Sequence, residues 1–152
     1  MRLAGKIAIV TGAGSGFGEG IANTFAREGA RVVVNDLNAE AGERVASAIR
    51  VAGGDAHFVQ ADVSNGDSVA KLLGATLARY GDLHIVVNNA GTTHKNKPLL
   101  QITEDEFDRV MAVNVRGTWL MTRACCAALA ASGRGAVVNL ASDTALWGAT
   151  NL

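Results

Sequence analysis

Cysteine, proline, net charge and long apolar runs are all scarce in this chain of 152 residues. The two cysteines, adjacent at Cys125 and Cys126, make no disulfide framework, and a metal site needs more ligands than they offer. His57, His84 and His94 stand at no ligand spacing, so no metal is expected. Both thiols are expected to pack inside the Ala-rich helix around them, because cysteine is among the most buried residue types. A single proline beside 18 glycines excludes collagen-like and low-complexity sequence, since the glycines cluster in short loops without repeating. The 14 Lys and Arg are matched by 14 Asp and Glu. No basic run breaks that balance, so the electrostatic footprint of a nucleic-acid binder is missing. No apolar run approaches the roughly 18 residues of a membrane helix. The N-terminal run Ile7–Val10 is too short for a signal-peptide core, and a cytoplasmic protein is expected.

What is present is aliphatic. Hydrophobic residues make up 49% and charged residues 18% of the chain, which excludes disorder and can supply one sizeable core. Short β-branched runs alternate with longer helical stretches. The runs are Lys6–Val10, Arg31–Asn35, Ala56–Gln60, Ile85–Asn89 and Ala136–Leu140. Three of them are nearly continuous apolar runs, as strands covered on both faces of a parallel sheet should be. Helices are expected over Gly16–Glu28, Ala39–Ala52, Asn65–Tyr80 and Thr103 to about Ala131. Ser64 stands where the third helix needs an N-cap, and Thr103-Glu104-Asp105-Glu106 has the capping-box pattern. The alternation predicts an α/β fold with a doubly wound parallel sheet, right-handed crossovers and three αβα layers.

The first strand runs into Thr11-Gly12-Ala13-Gly14-Ser15-Gly16-Phe17-Gly18, and a helix follows. Glycines there permit a tight turn and close approach of backbone to a pyrophosphate, while the helix N-terminus offers N–H groups and a positive dipole end. A P-loop is excluded because no Gly-Lys-Ser/Thr follows. Asp36 ends the second strand, 18 residues after Gly18. A carboxylate at that place accepts hydrogen bonds from the adenosine ribose hydroxyls and repels a 2′-phosphate. No Arg or Lys in the glycine loop or among Asn35–Asn38 welcomes that phosphate, so NAD is expected over NADP. An ordinary turn role is the alternative for an aspartate at a strand end.

With these motifs in hand, the sequence resembles the short-chain dehydrogenase/reductase family, compact oxidoreductases built on a Rossmann fold. The loop TGAGSGFG, with Gly12, Gly16 and Gly18, is similar to that family's cofactor motif, in which Ser15 and Phe17 lie, and Leu37 follows its acidic residue. Asp62-Val63 resembles the family's adenine-contacting pair. Asn88-Asn89-Ala90-Gly91 resembles its NNAG motif, which supports the sheet and lines the cofactor cleft. Asn114, in Val113-Asn114-Val115, falls on the family's helix-borne catalytic Asn, and Ser142 on its catalytic Ser. The resemblance covers the whole chain, and the motifs keep family order and spacing.

Phe107, Val110, Met111 and Asn114 share one helical face, so Asn114 is expected on an apolar, buried side. A buried Asn must be hydrogen-bonded. On the residues alone it bonds a neighbouring backbone, whereas the resemblance implies that it holds a water in a proton relay. The resemblance also implies that Ser142 hydrogen-bonds the substrate oxygen and stabilises charge that develops there. His84 and Asp143 depart from the family pattern. His84 is expected as a strand-start variant, Asp143 would add negative charge near the site, and Thr92–Leu99 with Asp143 and Trp147 are expected on one wall of the substrate pocket.

The family's chemistry further requires a Tyr and, four residues on, a Lys that lowers its pKa. By family spacing that Tyr falls about a dozen residues after Ser142, beyond Leu152. The Tyr in this sequence, Tyr80, reads as a packing residue. Residues 1–152 are therefore expected to be a single NAD-binding domain, incomplete at its C-terminus, of a longer homo-oligomeric (tetrameric or dimeric) dehydrogenase. Its substrate would be a small secondary alcohol or ketone, of 3-oxoacyl, sugar or polyol type. The competing reading is a non-catalytic nucleotide-binding or interaction module.

Overall fold

Runs of Val and Ile disfavour helix because two heavy atoms on Cβ crowd the preceding turn, and here they set the strands. The computed structural model describes residues 1–142; Asp143 and Trp147 lie outside the described residues. Five strands form one sheet: β1 (Ile7–Val10), β2 (Arg31–Asp36), β3 (Asp55–Gln60), β4 (Ile85–Asn88) and β5 (Ala136–Asn139). Their order is β3-β2-β1-β4-β5 and every pair is parallel. The chain builds outward from β1 to β3, then crosses to the other side of β1. That reversal is the topological switch point, where an open α/β sheet leaves a crevice at the strand carboxyl ends.

Helices cover both faces. They are α1 (Gly16–Arg27), α2 (Ala39–Val51), α3 (Gly66–Tyr80), α4 (Glu104–Met111) and α5 (Thr118–Ala131), the last two joined by a π-helical segment at Ala112–Gly117. Strand alternation divides the core in two. Ile7, Ile9, Val33 and Val86 face Val69 and Leu72 of α3 and Met121 and Cys125 of α5. Val10, Val32, Val34 and Val87 face Ala22 of α1 and Val45 and Ile49 of α2. Each large aliphatic chain buried this way contributes about 1.5–3 kcal/mol. The result is the predicted αβα Rossmann-like fold.

Three expectations need correction. Asn65, not Ser64, caps α3: its side chain accepts from the Ser68 N–H, while Ser64 turns back to donate N–H and Oγ–H to Asp62 Oδ1. Two adjacent polar residues competed for one cap, and Ser64 was drawn to the carboxylate. Cys126 is exposed, and only Cys125 is buried; burial pushes the Cys125 thiol up to about 11. Neighbours on a helix point about 100° apart, so one of two vicinal thiols faces away from the core. The stretch from Thr103 to Ala131 is not one regular helix, since it widens at Ala112–Gly117.

His84 stands immediately before β4 rather than in it, and it has a specific task. Its Nδ1 accepts the Ile7 N–H at 3.2 Å, its backbone joins Ile7 and Ala136, and its Nε2 faces Asp82 at 3.5 Å.

Candidate cofactor site

The loop after β1 is fixed by hydrogen bonds to β4. The buried Thr11 hydroxyl donates to the Val87 carbonyl and accepts from the N–H groups of Asn89 and Ala90. The Asn89 amide donates to the Thr11 and Gly12 carbonyls at 2.8 and 3.0 Å. Two positions in this loop admit only glycine. Gly12 has φ of +60°, and a Cβ on it would stand 2.8 Å from the Ala90 Cα. A Cβ on Gly18 would collide with the Gly12 carbonyl and the Asn89 amide. Asn89 and the glycines thus press α1 directly against the sheet edge.

The N-termini of the helices differ in a telling way. Asn38, Asn65 and Thr103 cap α2, α3 and α4 with side-chain oxygens. Ser15 precedes α1 in extended conformation and makes no such cap. The first-turn N–H groups of α1 therefore keep their positive end for an anion arriving from outside.

That end opens on a cleft of about 540 Å³ at the switch point. Gly12, Ser15 and Phe17 line it from the loop after β1, Asp36 and Leu37 from the end of β2, Asp62 and Val63 from the end of β3, and Asn89, Ala90 and Gly91 from the loop after β4. The glycine-loop, β2-end, β3-end and NNAG expectations therefore converge on one place. Gly16 and Gly18 shape the loop without lining the cleft. Thr92, expected on a pocket wall, lines the cleft as well, and the structure adds Asn35, Ala61, Arg109 and Val113, none of which the motifs pointed to. Arg109 is the one cationic residue lining the cleft among the described residues. Asn35, almost fully buried, donates to the Val59 and Ala61 carbonyls.

Both acidic side chains in the cleft are oriented by backbone. Asp36 accepts from the Gly14 N–H at 2.8 Å and the Asn38 N–H at 2.9 Å. Asp62 accepts from Ser64 at 2.7 Å, and its own N–H donates to Ser68 Oγ. A cleft lined by uncapped helix N–H groups and by fixed carboxylates can take a ligand that carries both anionic groups and hydroxyls or amines.

Asn114 is exposed rather than buried, and its apolar helical neighbours Phe107 and Met111 are exposed too. The side of this helical stretch that packs on the core is carried by α5 through Leu120, Met121, Cys125 and Leu129, while α4 buries no residue. Asn114 instead clamps the loop after β4. Its Oδ1 accepts the Thr92 N–H at 2.8 Å, and its Nδ2 donates to the Thr92 carbonyl at 2.9 Å. Its own carbonyl accepts the Thr118 hydroxyl across the π segment. Ser142 lies three residues past β5, at the same carboxyl edge of the sheet. Neither Asn114 nor Ser142 lines the cleft.

The same loop is held at its far end. Lys97 Nζ donates to both Glu106 oxygens, at 2.8 and 2.6 Å, and Glu106 also completes the capping box with Thr103. The Lys97 ammonium, with the Thr103 N–H behind it, holds the Glu106 carboxyl down to about 2. Tyr80 sits at the C-terminal end of α3, where its hydroxyl donates to Asp55 Oδ1 at 2.9 Å. Burial, with the Asp55 bond second, pushes it up to about 12. It is a packing residue, remote from the cleft.

An open parallel sheet with a glycine loop at its switch point defines a Rossmann-type dinucleotide-binding class. Within that class the chain belongs to the short-chain dehydrogenase family, which it matches over residues 6–152. It is 47% identical over 144 residues to a 4-formylbenzenesulfonate dehydrogenase of Comamonas testosteroni, covering 95% of this chain and 57% of that protein. A sorbitol dehydrogenase of Cereibacter sphaeroides is 39% identical over 144 residues, covering 94% of this chain and 55% of the relative. A 3-ketoacyl-(acyl-carrier-protein) reductase from Brucella melitensis, crystallised with NADH, superposes with a TM-score of 0.92 at 43% identity. That match covers 99% of this chain and 62% of the reductase. The chain thus spans little more than half the length of the curated relatives it matches.

Proposed function

We propose that the cleft binds NAD in preference to NADP, and that the protein moves a hydride between the nicotinamide and a small secondary alcohol or ketone. The observation that carries this reading is the convergence of four strand ends on one cleft, with the α1 N-terminus uncapped and Asp36 fixed by the Gly14 N–H beside it. The diphosphate would lie at the α1 N-terminus, beside Gly12, Ser15 and Phe17. Asp36 and Leu37 would hold the adenosine ribose, and Asp62 and Val63 the adenine. Ala90 and Gly91 form the opposite wall. Bound nicotinamide would supply the hydride donor or acceptor.

The chain's own groups prepare the reaction in two ways. Ser142, at the carboxyl edge of β5, is proposed to donate a hydrogen bond to the substrate oxygen. The Asn114 side chain is engaged at both ends by Thr92. Its carbonyl, which accepts the Thr118 hydroxyl, is proposed to hold the water of a proton relay. Membership of an oxidoreductase family supports the reaction class, and relatives named for aldehyde, polyol and ketoacyl substrates support carbonyl chemistry.

Fluorescence titration with NADH and NADPH tests the cofactor, and a screen of polyols, sugars, hydroxy acids and 3-hydroxyacyl compounds with NAD tests the substrate class. Tighter NADH binding with turnover of a secondary alcohol is expected. NADH binding with no turnover of any of them would favour a nucleotide-binding module instead.

A further inference from the structure

Gly14 is gripped from both sides by opposite charges. Its N–H donates to Asp36 Oδ2 at 2.8 Å, and its carbonyl accepts from Arg44 Nη2 at 2.9 Å. Arg44 comes from α2, reaches over the glycine loop, and meets Glu19 of α1 through two parallel bonds of 2.9 and 2.8 Å. The forked pairing is the geometry in which a guanidinium binds a carboxylate most specifically. The Arg44 bonds also hold the Glu19 carboxyl below the usual carboxylate range, so the pair is fully ionised near neutrality.

Two carboxylates and one guanidinium therefore surround the Gly14 peptide, a net negative cluster. Without Glu19 the balance there would be neutral, with Arg44 one residue's width from Asp36 and well within the Debye length of about 8 Å at physiological salt. The geometry points to Glu19 and Arg44 as determinants of cofactor specificity: Glu19 ties Arg44 to the Gly14 carbonyl and cancels its charge, so that the adenosine end of the cleft stays hostile to a 2′-phosphate. Asp36 supplies the repulsion at the ribose, and Glu19 keeps a neighbouring cation from offsetting it. This assignment rests on the dinucleotide reading of the cleft. It goes beyond it in placing a specificity residue on α1, outside the cleft lining.

The test is a pair of variants, Glu19→Gln and Arg44→Gln, titrated with NADH and NADPH, with thermal melts as a folding control. Glu19→Gln should raise the affinity for NADPH relative to NADH by about threefold, the size of one unit charge acting through water at such range. The gain should vanish at high salt. Arg44→Gln should move the ratio the opposite way. Unchanged ratios in both variants, or equal weakening of both nucleotides, would overturn the assignment and leave the trio a structural clamp. The prior reading fails differently: a wild-type protein that binds neither nucleotide overturns both. A wild type that binds the two equally refutes the Asp36 selectivity, while a ratio that still responds to Glu19→Gln supports the role of the pair.

Discussion

Gly18 bears the tightest steric demand in the molecule's candidate site, because a methyl there has the Gly12 carbonyl and the Asn89 amide in its way. Backbone cannot yield as a flexible side chain can, so Gly18→Ala should displace the loop and weaken NADH at least tenfold, about 1.4 kcal/mol. A titration showing unchanged affinity would mean that α1 need not sit this close. Asp36 makes a different prediction. Asp36→Ala removes the charge and the acceptor for the Gly14 and Asn38 N–H groups, so NADPH should gain on NADH about tenfold while both bind more weakly in absolute terms. These residues were legible in the sequence because Gly18 belongs to the glycine pattern that follows β1 and Asp36 ends β2, and strand ends are where open α/β sheets bind ligands. Arg109, Val113, Asn35 and Ala61 were not legible. They join the lining through the packing of α4 and the pairing of β2 with β3, which no local pattern encodes. Asn114 was found by its motif, yet its setting was misjudged: helical spacing named its face, but only the packing of α5 decides which face is buried.

At the scale of the element, the start of α4 couples a helix cap to the wall of the cleft. The capping box was readable from Thr103-Glu104-Asp105-Glu106, whereas Lys97, nine residues before Glu106, was not, because a loop's return path has no periodicity. Thr103→Ala should cost about 1 kcal/mol in chemical denaturation, as loss of a helix cap generally does. The Glu106 carboxyl, held at about 2 against an ordinary 4.5, has a lowered folded pKa. Its contribution is therefore complete above pH 4.5 and is lost as pH falls toward 2. The stability difference between wild type and Glu106→Gln should be constant above about pH 5, shrink across that acid range and diminish with salt. A difference independent of pH would separate Glu106 from Lys97. The π-helical widening at Ala112–Gly117 had no signature in composition, and it separates α4, which buries no residue, from α5, which packs on the core.

For the whole molecule, parallel pairing follows from the chain pattern, because β-branched runs separated by helices favour right-handed crossovers, whereas the strand order β3-β2-β1-β4-β5 is seen only in the structure. The reversal after β3 is what turns a sheet into a site, since it parts the loop after β1 from the loop after β4. Asn89 bridges that parting with two bonds to the Thr11 and Gly12 carbonyls. Asn89→Ala should destabilise the protein by about 1–3 kcal/mol, because two partly buried carbonyls lose their donor, and should loosen nucleotide binding as well. Thermal or denaturant unfolding alongside NADH titration checks both effects, and a loss of stability with affinity intact would make Asn89 purely a sheet residue. The central claim, that the four strand ends form one dinucleotide cleft, is tested most directly by following backbone amide resonances as NADH is added. The account predicts shifts concentrated at Gly12–Gly18, Asp36–Leu37, Asp62–Val63 and Asn89–Thr92, with Tyr80 and the distal ends of α2 and α3 unmoved. Shifts centred elsewhere, or none at saturating NADH, would contradict it.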